Sequence, residues 1–447
     1  MTARAMKDSG VDWIGHIPAH WTLRRLKYVK QGPFQYGANE PALEDNRDWP
    51  RFIRITDLDD SGGLRDETFR SLAPNVAVPY LLRHGDLLLA RSGATVGKAI
   101  RYRAEWGTAC FAGYLIRLRP SSELVPEFLE MFTKSQIYWE QVQLGQVQAT
   151  IENVSAEKYG QFLLPLPPLE EQARIANFLD AKTTAIDTLI AKQEQLLALL
   201  AEKRQGLITQ AVTKGLDPNA PMKDSGIDWI GTVPAIWSVM PTRLLGWYRG
   251  GAGFPDDEQG QQGLELPFYK VRDLSDEAVR DDVLADADHT IDRTTARRLR
   301  AIVFPAETIV FAKVGAALLL QRFRTLGREA CVDNNMMGWV LNPTRMMTKY
   351  ALLATKLLRF DLIVNPGAVP SLNGSMFGRQ PITVPPLAEQ ERIVDHVQQS
   401  LRSIDAARAK LTEQTAKLRE YRQAIITAAV TGQLDVTSAP QTKAQSA

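Results

Sequence analysis

The chain is short of cysteine. Only Cys110 and Cys331 occur in 447 residues, too few and too far apart for a disulfide scaffold or a thiolate zinc site. They lie in similar contexts, GTAC and REAC, one in each half, and read as matched core positions. Histidine is equally scarce: five are scattered through the chain, with no HExxH, so no metal site is expected. No stretch approaches the ~20 consecutive apolar residues of a membrane span, and the start, MTARAMKDSG, lacks the apolar core of a secretory signal. A cytoplasmic protein with no membrane partner is the expectation. An excess of one charge is also missing. Lys and Arg number 53 against 51 acidic residues, net +2, which excludes a histone-like binder but leaves room for local basic surface.

Catalytic motifs are missing too. Methyl transfer to a DNA base needs a cofactor-binding glycine motif and an Asn-Pro-Pro-Tyr-type motif, and neither occurs. The Pro-Pro pairs at 167 and 385 follow Leu and Val, while Asn342-Pro343 and Asn365-Pro366 precede Thr and Gly. The loop Ser92-Gly93-Ala94-Thr95-Val96-Gly97-Lys98 has three residues between its glycines and Ala99 after the lysine, which departs from a phosphate-binding Walker A loop. It reads as a glycine turn presenting Arg91 and Lys98 to a backbone phosphate. A non-catalytic chain that binds no cofactor is expected. What remains is 45% hydrophobic and 23% charged, the composition of a globular protein of several domains.

The organising feature is a repeat. MKDSGVDWIGHIPAHW at 6–21 returns as MKDSGIDWIGTVPAIW at 222–237, a shift of 216. PPLEEQARIANFLDAKTTAID from Pro167 returns from Pro385, and LITQAVTKGLD from Leu207 returns from Ile425, both shifted by 218. The chain is therefore a tandem duplication in which each copy runs from a Trp-rich opening through a divergent body into a long helix. RITDL at 54–58 still resembles VRDL at 271–274.

Both helices carry a four-three apolar pattern. In the first it takes Ile175, Leu179, Ile186, Leu189, Leu196, Leu200 and Leu207. In the second it takes Ile393, Val397, Ile404, Ala407, Leu411, Leu418, Tyr421 and Ile425, and each seam is broken by a few polar positions, such as Gln193 in the first and Gln414 in the second. Pro-Pro-Leu and Glu170, Glu171, Glu389 and Glu391 mark the starts, and Gly215 and Gly432 mark the ends. Some 44 helical residues would span roughly 65 Å. A helix of that length cannot bury its seam against one small body, so the two are expected to pair with each other, antiparallel. The fold class expected is α+β: two mixed α/β bodies separated by two long antiparallel helices in a coiled coil, with pseudo-two-fold symmetry. The expected boundaries are 1–165 and 216–382 for the bodies, 166–215 and 383–436 for the helices, and 437–447 for a flexible tail.

Strands are expected at FIRIT, DLLLARS and YLIRLRP in the first body, and at PFYKVRDL, TIVFAKVG and MGWVLNP in the second. The amide-rich segment 141–155 suits adenine recognition, since Gln and Asn pair bidentately with that base. Candidate DNA contacts are Arg91, Ser92, Lys98, Gln146, Gln148 and Asn153 in the first body. In the second they are Lys270, Arg272, Lys313, Gln321, Arg322, Arg324, Asn334, Asn335 and Asn373. Trp13, Trp21, Trp229 and Trp237 recur unchanged between bodies that otherwise differ, so they read as docking the opening segment onto a shared element. The path from Ile151 to Pro167 is about three residues longer than that from Leu372 to Pro385, so loops near the helix starts are expected to differ.

The segments KDSGxDWIGxxPAxW, PLPPLEEQxRI and LITxAVTKGLD, each present twice in order, resemble the specificity subunit of type I restriction-modification systems across the whole chain. The resemblance implies two target-recognition domains that each read half of an asymmetric, gapped DNA site, with the helices setting the gap. It also implies two methyltransferase subunits docked on the helices, using S-adenosylmethionine, and restriction subunits using ATP and Mg. A duplicated coiled-coil scaffold with no nucleic-acid partner is the alternative that the repeat alone would permit.

Overall fold

The computed structural model describes residues 4–436 apart from 58, 60–62, 147–152, 276–278, 280–281, 286, 363 and 365–368. The tail expected at 437–447 lies outside the described residues. The chain forms two compact units, Met1–Glu194 with Thr412–Ala447 and Gln195–Leu411. Each unit contains one body, the first half of the helix that follows it, and the closing half of the other long helix. Among the described residues no helix is long and apolar enough to cross a membrane.

In the first unit the opening repeat is a hairpin, Met6–Asp8 against His16–Pro18, whose turn places Gly10 at φ +73° beneath the Asp8 carboxylate. The next strand, Thr22–Arg25, pairs antiparallel with Leu163–Leu166, the strand that leads into the long helix Leu169–Lys214. The body's sheet has the order Gln35–Tyr36, Leu115–Leu118, Leu87–Ala90, Ala99–Arg101, all antiparallel. A parallel pair, Arg51–Ile53 with Ala109–Phe111, sets Cys110 beside Phe52 in the core. Ile425, Ile426, Ala429 and Val430 from the second long helix join a separate cluster of the unit's core, beside Trp21, Ile175 and Leu179. At about 1.5–3 kcal/mol for each large apolar side chain buried, they tie the chain's last helix to its first body.

The second unit repeats the plan. Met222–Asp224 pairs with Thr232–Pro234, and Ser238–Pro241 with Pro381–Val384, ahead of the helix Leu387–Val430. The sheet runs Gly246–Gly250, Met336–Leu341, Ile309–Ala312, Arg324–Leu326, Val283–Leu284, with only the last pair parallel. Cys331 lies beside Phe268 in a parallel pair, as Cys110 lies beside Phe52. The RITDL–VRDL likeness is one turn used twice: Asp57 accepts the Arg54 backbone N–H at 2.7 Å, and Asp273 accepts that of Lys270 at 2.6 Å.

The long helices pack antiparallel. Asp187 meets Arg422 at 2.7 Å and Gln193 meets Thr415 at 2.8 Å in the first unit, while Arg204 meets Asp405 at 3.5 Å in the second. A shift of 218 turns the first of these ion pairs into the last, so the same side-chain contact recurs within each unit. At ~1.5 Å per residue the 46- and 44-residue helices are about 69 and 66 Å long.

Half of the expected seam is displaced by one residue. Leu179, Ile186, Leu200, Leu207, Val397, Ile404, Leu411, Leu418 and Ile425 are buried or half-buried, as are Ile175 and Ile393 beside them. Leu189 and Leu196, however, are 45% and 44% exposed, and Tyr421 is 54% exposed. The inward positions are Thr183, Ile190, Leu197 and Arg204 in the first helix, and Leu401, Arg408, Thr415 and Arg422 in the second. Leu-Ile and Leu-Leu doublets leave the inward residue ambiguous by apolarity alone. In the second helix the guanidinium stems of Arg408 and Arg422 occupy the seam while their heads reach Asp405 and Asp187.

Candidate nucleic-acid interface

At one end of the first unit's sheet, four chain segments form a cradle. The strand Leu87–Ala90 ends at Arg91, whose N–H donates to the Tyr114 carbonyl at 3.1 Å and whose carbonyl accepts from Val154 at 2.9 Å. Ser92 bridges Asn153. Gly37 and Ala38 close the other side, their N–H groups donating to the carbonyls of Leu115 and Phe111. Gly37 approaches the neighbouring backbone so closely that a Cβ would stand 2.3 Å from the carbonyl oxygens of Phe111 and Ala112, so no other residue fits. The Arg91 guanidinium lies 4.9 Å over the Tyr36 ring. Its Nε and the Oδ1 of Asn153 are both enclosed without a hydrogen-bond partner among the described residues. Tyr114, at the turn, is 67% exposed.

The second unit builds the same backbone with different side chains. Lys313 N–H donates to the Asn335 carbonyl at 2.8 Å, and the Lys313 carbonyl accepts from Leu372 at 2.8 Å. Val314 bridges Ser371, and Ala252 bridges Asp333 as Ala38 bridges Ala112. A Cβ on Gly251 would stand 2.1–2.2 Å from the carbonyl oxygens of Val332 and Asp333, so Gly251 takes the place of Gly37. Gly250 replaces Tyr36, and the Lys313 ammonium stands 2.6 Å from where a side chain on Gly250 would begin. Exposed Asn334 and Asn335 replace Gly113 and Tyr114. Beneath them burial pushes the Asp333 carboxyl above its ordinary range, against the N–H groups of Asn335 and Val271 that favour its ionised form.

These contacts sort the expected DNA residues. Arg91, Ser92 and Asn153 come together in the first cradle; Lys313, Asn334 and Asn335 come together in the second. Lys98 is exposed at the far end of the glycine turn. Gln146 ends the helix Gln136–Gln146, and Gln148 lies outside the described residues. Gln321, at φ +48°, follows the short helix Ala316–Leu319. The remaining cations are engaged within the protein. Lys270 donates to Gln259 at 2.6 Å, and Arg272 reaches Asp288 and the His289 ring, both at 2.9 Å. Burial, with Arg272 and Lys270 nearby, holds the His289 ring below its ordinary pKa. Arg324 pairs with Asp282 at 2.7 Å, and Arg322 donates to Ser275.

Asn373 is a helix cap: its Oδ1 accepts the Met376 N–H at 2.9 Å, as Ser155 accepts that of Lys158. This equivalence corrects the loop comparison, because Val154, not Ile151, matches Leu372. The paths to Pro167 and Pro385 are then equal in length. The sequence reading missed Tyr36, Tyr114 and Gly250, although QYGA and RGGA were signals for the first and last.

Opposite in character to the cradle is the base of each unit. Trp21 is fully buried and its indole donates to Glu171 at 2.8 Å; Trp237 is fully buried and donates to Glu389 at 3.0 Å. The opening segment thus docks on the first turn of the following helix. Trp13 is half-buried and Trp229 is 39% exposed, so neither is a comparable anchor. One residue on, buried Gln172 accepts the Val125 N–H and donates to the carbonyls of Glu123 and Pro167. Gln390 repeats this with Met347, Arg345 and Pro385. The other long helix closes the base. Gly432, at φ +75°, lies against Pro18 and Trp21, and Gly215, at φ +72°, lies against Trp237 and Glu389.

Among known proteins the chain is 23% identical to the StySPI specificity subunit of a type I restriction enzyme from Salmonella potsdam, over 94% of this chain and 90% of the relative. It is 26% identical to the EcoKI specificity subunit from Escherichia coli K12 over 44% of each. In fold it is similar to a chain solved in work on assembly and conformational transition of a type I R-M system, with TM-score 0.72 at 17% identity, covering 94% of this chain and 99% of that one. The HsdS subunit from Thermoanaerobacter tengcongensis matches with TM-score 0.51 at 18% identity, covering 94% and 98%. Residues 53–198 and 253–414, which between them contain most of both cradles, match the type I restriction modification DNA specificity domain, and the chain belongs to that family.

Proposed function

We propose that this chain is the DNA sequence-recognition subunit of a type I restriction-modification complex, reading a bipartite, asymmetric, gapped site with one half assigned to each unit. The observation that carries this reading is one backbone cradle built twice and furnished differently, with Arg91, Tyr36 and Tyr114 in one copy and Lys313, Gly250 and Asn335 in the other. A scaffold without a nucleic-acid partner has no use for two such cradles. The exposed faces of the long helices dock two methyltransferase subunits, and through them restriction subunits. S-adenosylmethionine then belongs to the methyltransferase partner, and ATP and Mg to the restriction partner, while this chain supplies target choice and no catalysis.

Long-read mapping of adenine methylation in cells expressing the complete system tests the proposal. The expected result is one bipartite motif with unlike halves, of which exchanging residues 22–165 for a relative's body alters only one. A palindromic motif, or none, would overturn it.

A further inference from the structure

The other partly enclosed arginines of the first unit have acceptors within the protein, and Arg51 and Arg117 find theirs in the backbone carbonyls of Arg65 and Leu81, while others find carboxylates. Arg54 pairs with Asp57 at 2.6 Å, Arg101 with Glu130 at 2.8 Å, and Arg119 with Asp86 at 2.6 Å. Arg91 is the departure: it is half-buried and stacked over Tyr36, with an enclosed Nε, and its guanidinium has neither a carboxylate nor a carbonyl acceptor among the described residues. Such a group is incomplete within its own chain, because a guanidinium removed from water needs acceptors. The aromatic face beneath it restrains the plane of the fork without using its hydrogen bonds. A planar, restrained, unclaimed fork matches the paired O6 and N7 acceptors of guanine in the major groove. In the equivalent place the second cradle has Lys313, a compact charge with no planar fork, with the exposed amides of Asn334 and Asn335 alongside. Amides of this kind pair bidentately with the N6 and N7 of adenine.

We propose that Arg91 reads a guanine in one half-site, and that the Asn334–Asn335 turn beside Lys313 reads an adenine in the other. This rests on the reading of the chain as a DNA-recognition subunit. Lys270, Arg272 and Arg324, committed to partners inside the protein, are structural in this assignment.

The test uses the assembled methyltransferase complex and its mapped site, with every single base-pair substitution of that site as competitor and with salt varied. If the unsubstituted complex selects no site, the recognition reading fails before this one is reached. Given a site, Arg91→Ala should lose discrimination by roughly tenfold to a hundredfold at one G·C pair. That pair should lie in the half altered by exchanging residues 22–165, with the other half read as before. Arg91→Lys should lose the same discrimination, because a point charge does not replace the fork, and it decides the matter if the alanine variant fails to fold. Asn335→Ala and Asn334→Ala together should relax one A·T pair in the opposite half. The assignment is overturned if Arg91→Ala weakens binding equally on all sequences with a shallower salt dependence while Arg91→Lys restores it, the behaviour of a phosphate contact. Unchanged discrimination in either half also overturns it.

Discussion

The bases and the cradles of the two units carry opposite kinds of repetition. At the bases, side chains recur together with their partners: Trp21, Glu171, Gln172 and Gly432 in one, Trp237, Glu389, Gln390 and Gly215 in the other. At the cradles only the backbone recurs, and Arg91 over Tyr36 becomes Lys313 over Gly250. The difference is one of mutual constraint. A base closes three segments far apart in sequence, so each of its side chains is fixed by several others. The heads of Arg91 and Lys313 have no hydrogen-bond partner among the described residues, so changing them costs the fold little. A duplicated protein can therefore hold its frame constant and alter what the frame presents.

The most severe way to break the equivalence of the bases is to remove an indole. Trp21→Ala and Trp237→Ala should each cost about 3–5 kcal/mol, and each should also strand a carboxylate that has lost a donor. Calorimetry of the full chain should show the two variants comparably destabilised; a loss under about 1 kcal/mol for either would mean that the two bases are not the same device. Gln172→Ala and Gln390→Ala come next. Each removes one acceptor and two donated hydrogen bonds from a buried side chain, leaving an N–H and two carbonyls without partners, at about 2–3 kcal/mol. Urea midpoints measure this, and unequal losses in the pair would again separate the units.

The frame was legible in the sequence because it is repeated, and a shift of 216–218 residues exposes it without any structural knowledge. Its seam was only half legible. Leu189 and Ile190, or Leu196 and Leu197, are interchangeable to a rule based on apolarity, and no such rule selects Arg408 or Arg422 over Ala407 or Tyr421. Arg408 reaches Asp405 on its own helix, three residues away, but the placement of Arg422 follows from Asp187, which is within reach only once the helices pair. The cradles were legible in part. Arg91, Lys313, Asn334 and Asn335 stand out as polar residues after strands and in turns. Lys270, Arg272 and Arg324 look the same until Gln259, Asp288 and Asp282 are brought to them by the fold. Asn373 resembles a base reader by residue type alone, and only the fold shows its Oδ1 capping a helix at Met376 as Ser155 does at Lys158.

The smallest expected effect lies where the two bases themselves differ. Glu171 accepts from Trp21, from Arg4 at 2.5 Å and from His20 at 2.7 Å. The positions equivalent to Arg4 and His20 in the second unit are Ala220 and Ile236, so Glu389 has neither donor. Burial raises the pKa of the Glu171 carboxyl, but the hydrogen bonds from His20, Trp21 and Arg4 outweigh it and hold the group below the usual carboxylate range. A carboxylate depressed in the folded state contributes stability that is complete above its unfolded pKa, near ~4.3. That contribution is lost as pH falls through the folded value. Glu171→Gln should therefore lower stability at neutral pH by less than either substitution above, and flatten the dependence on pH below ~4.3. Arg4→Ala should flatten it in part. Urea unfolding of the full chain at a series of acid pH values reads both, and an acid slope identical to that of the unsubstituted protein would remove Arg4 and His20 from any role in holding the first base together.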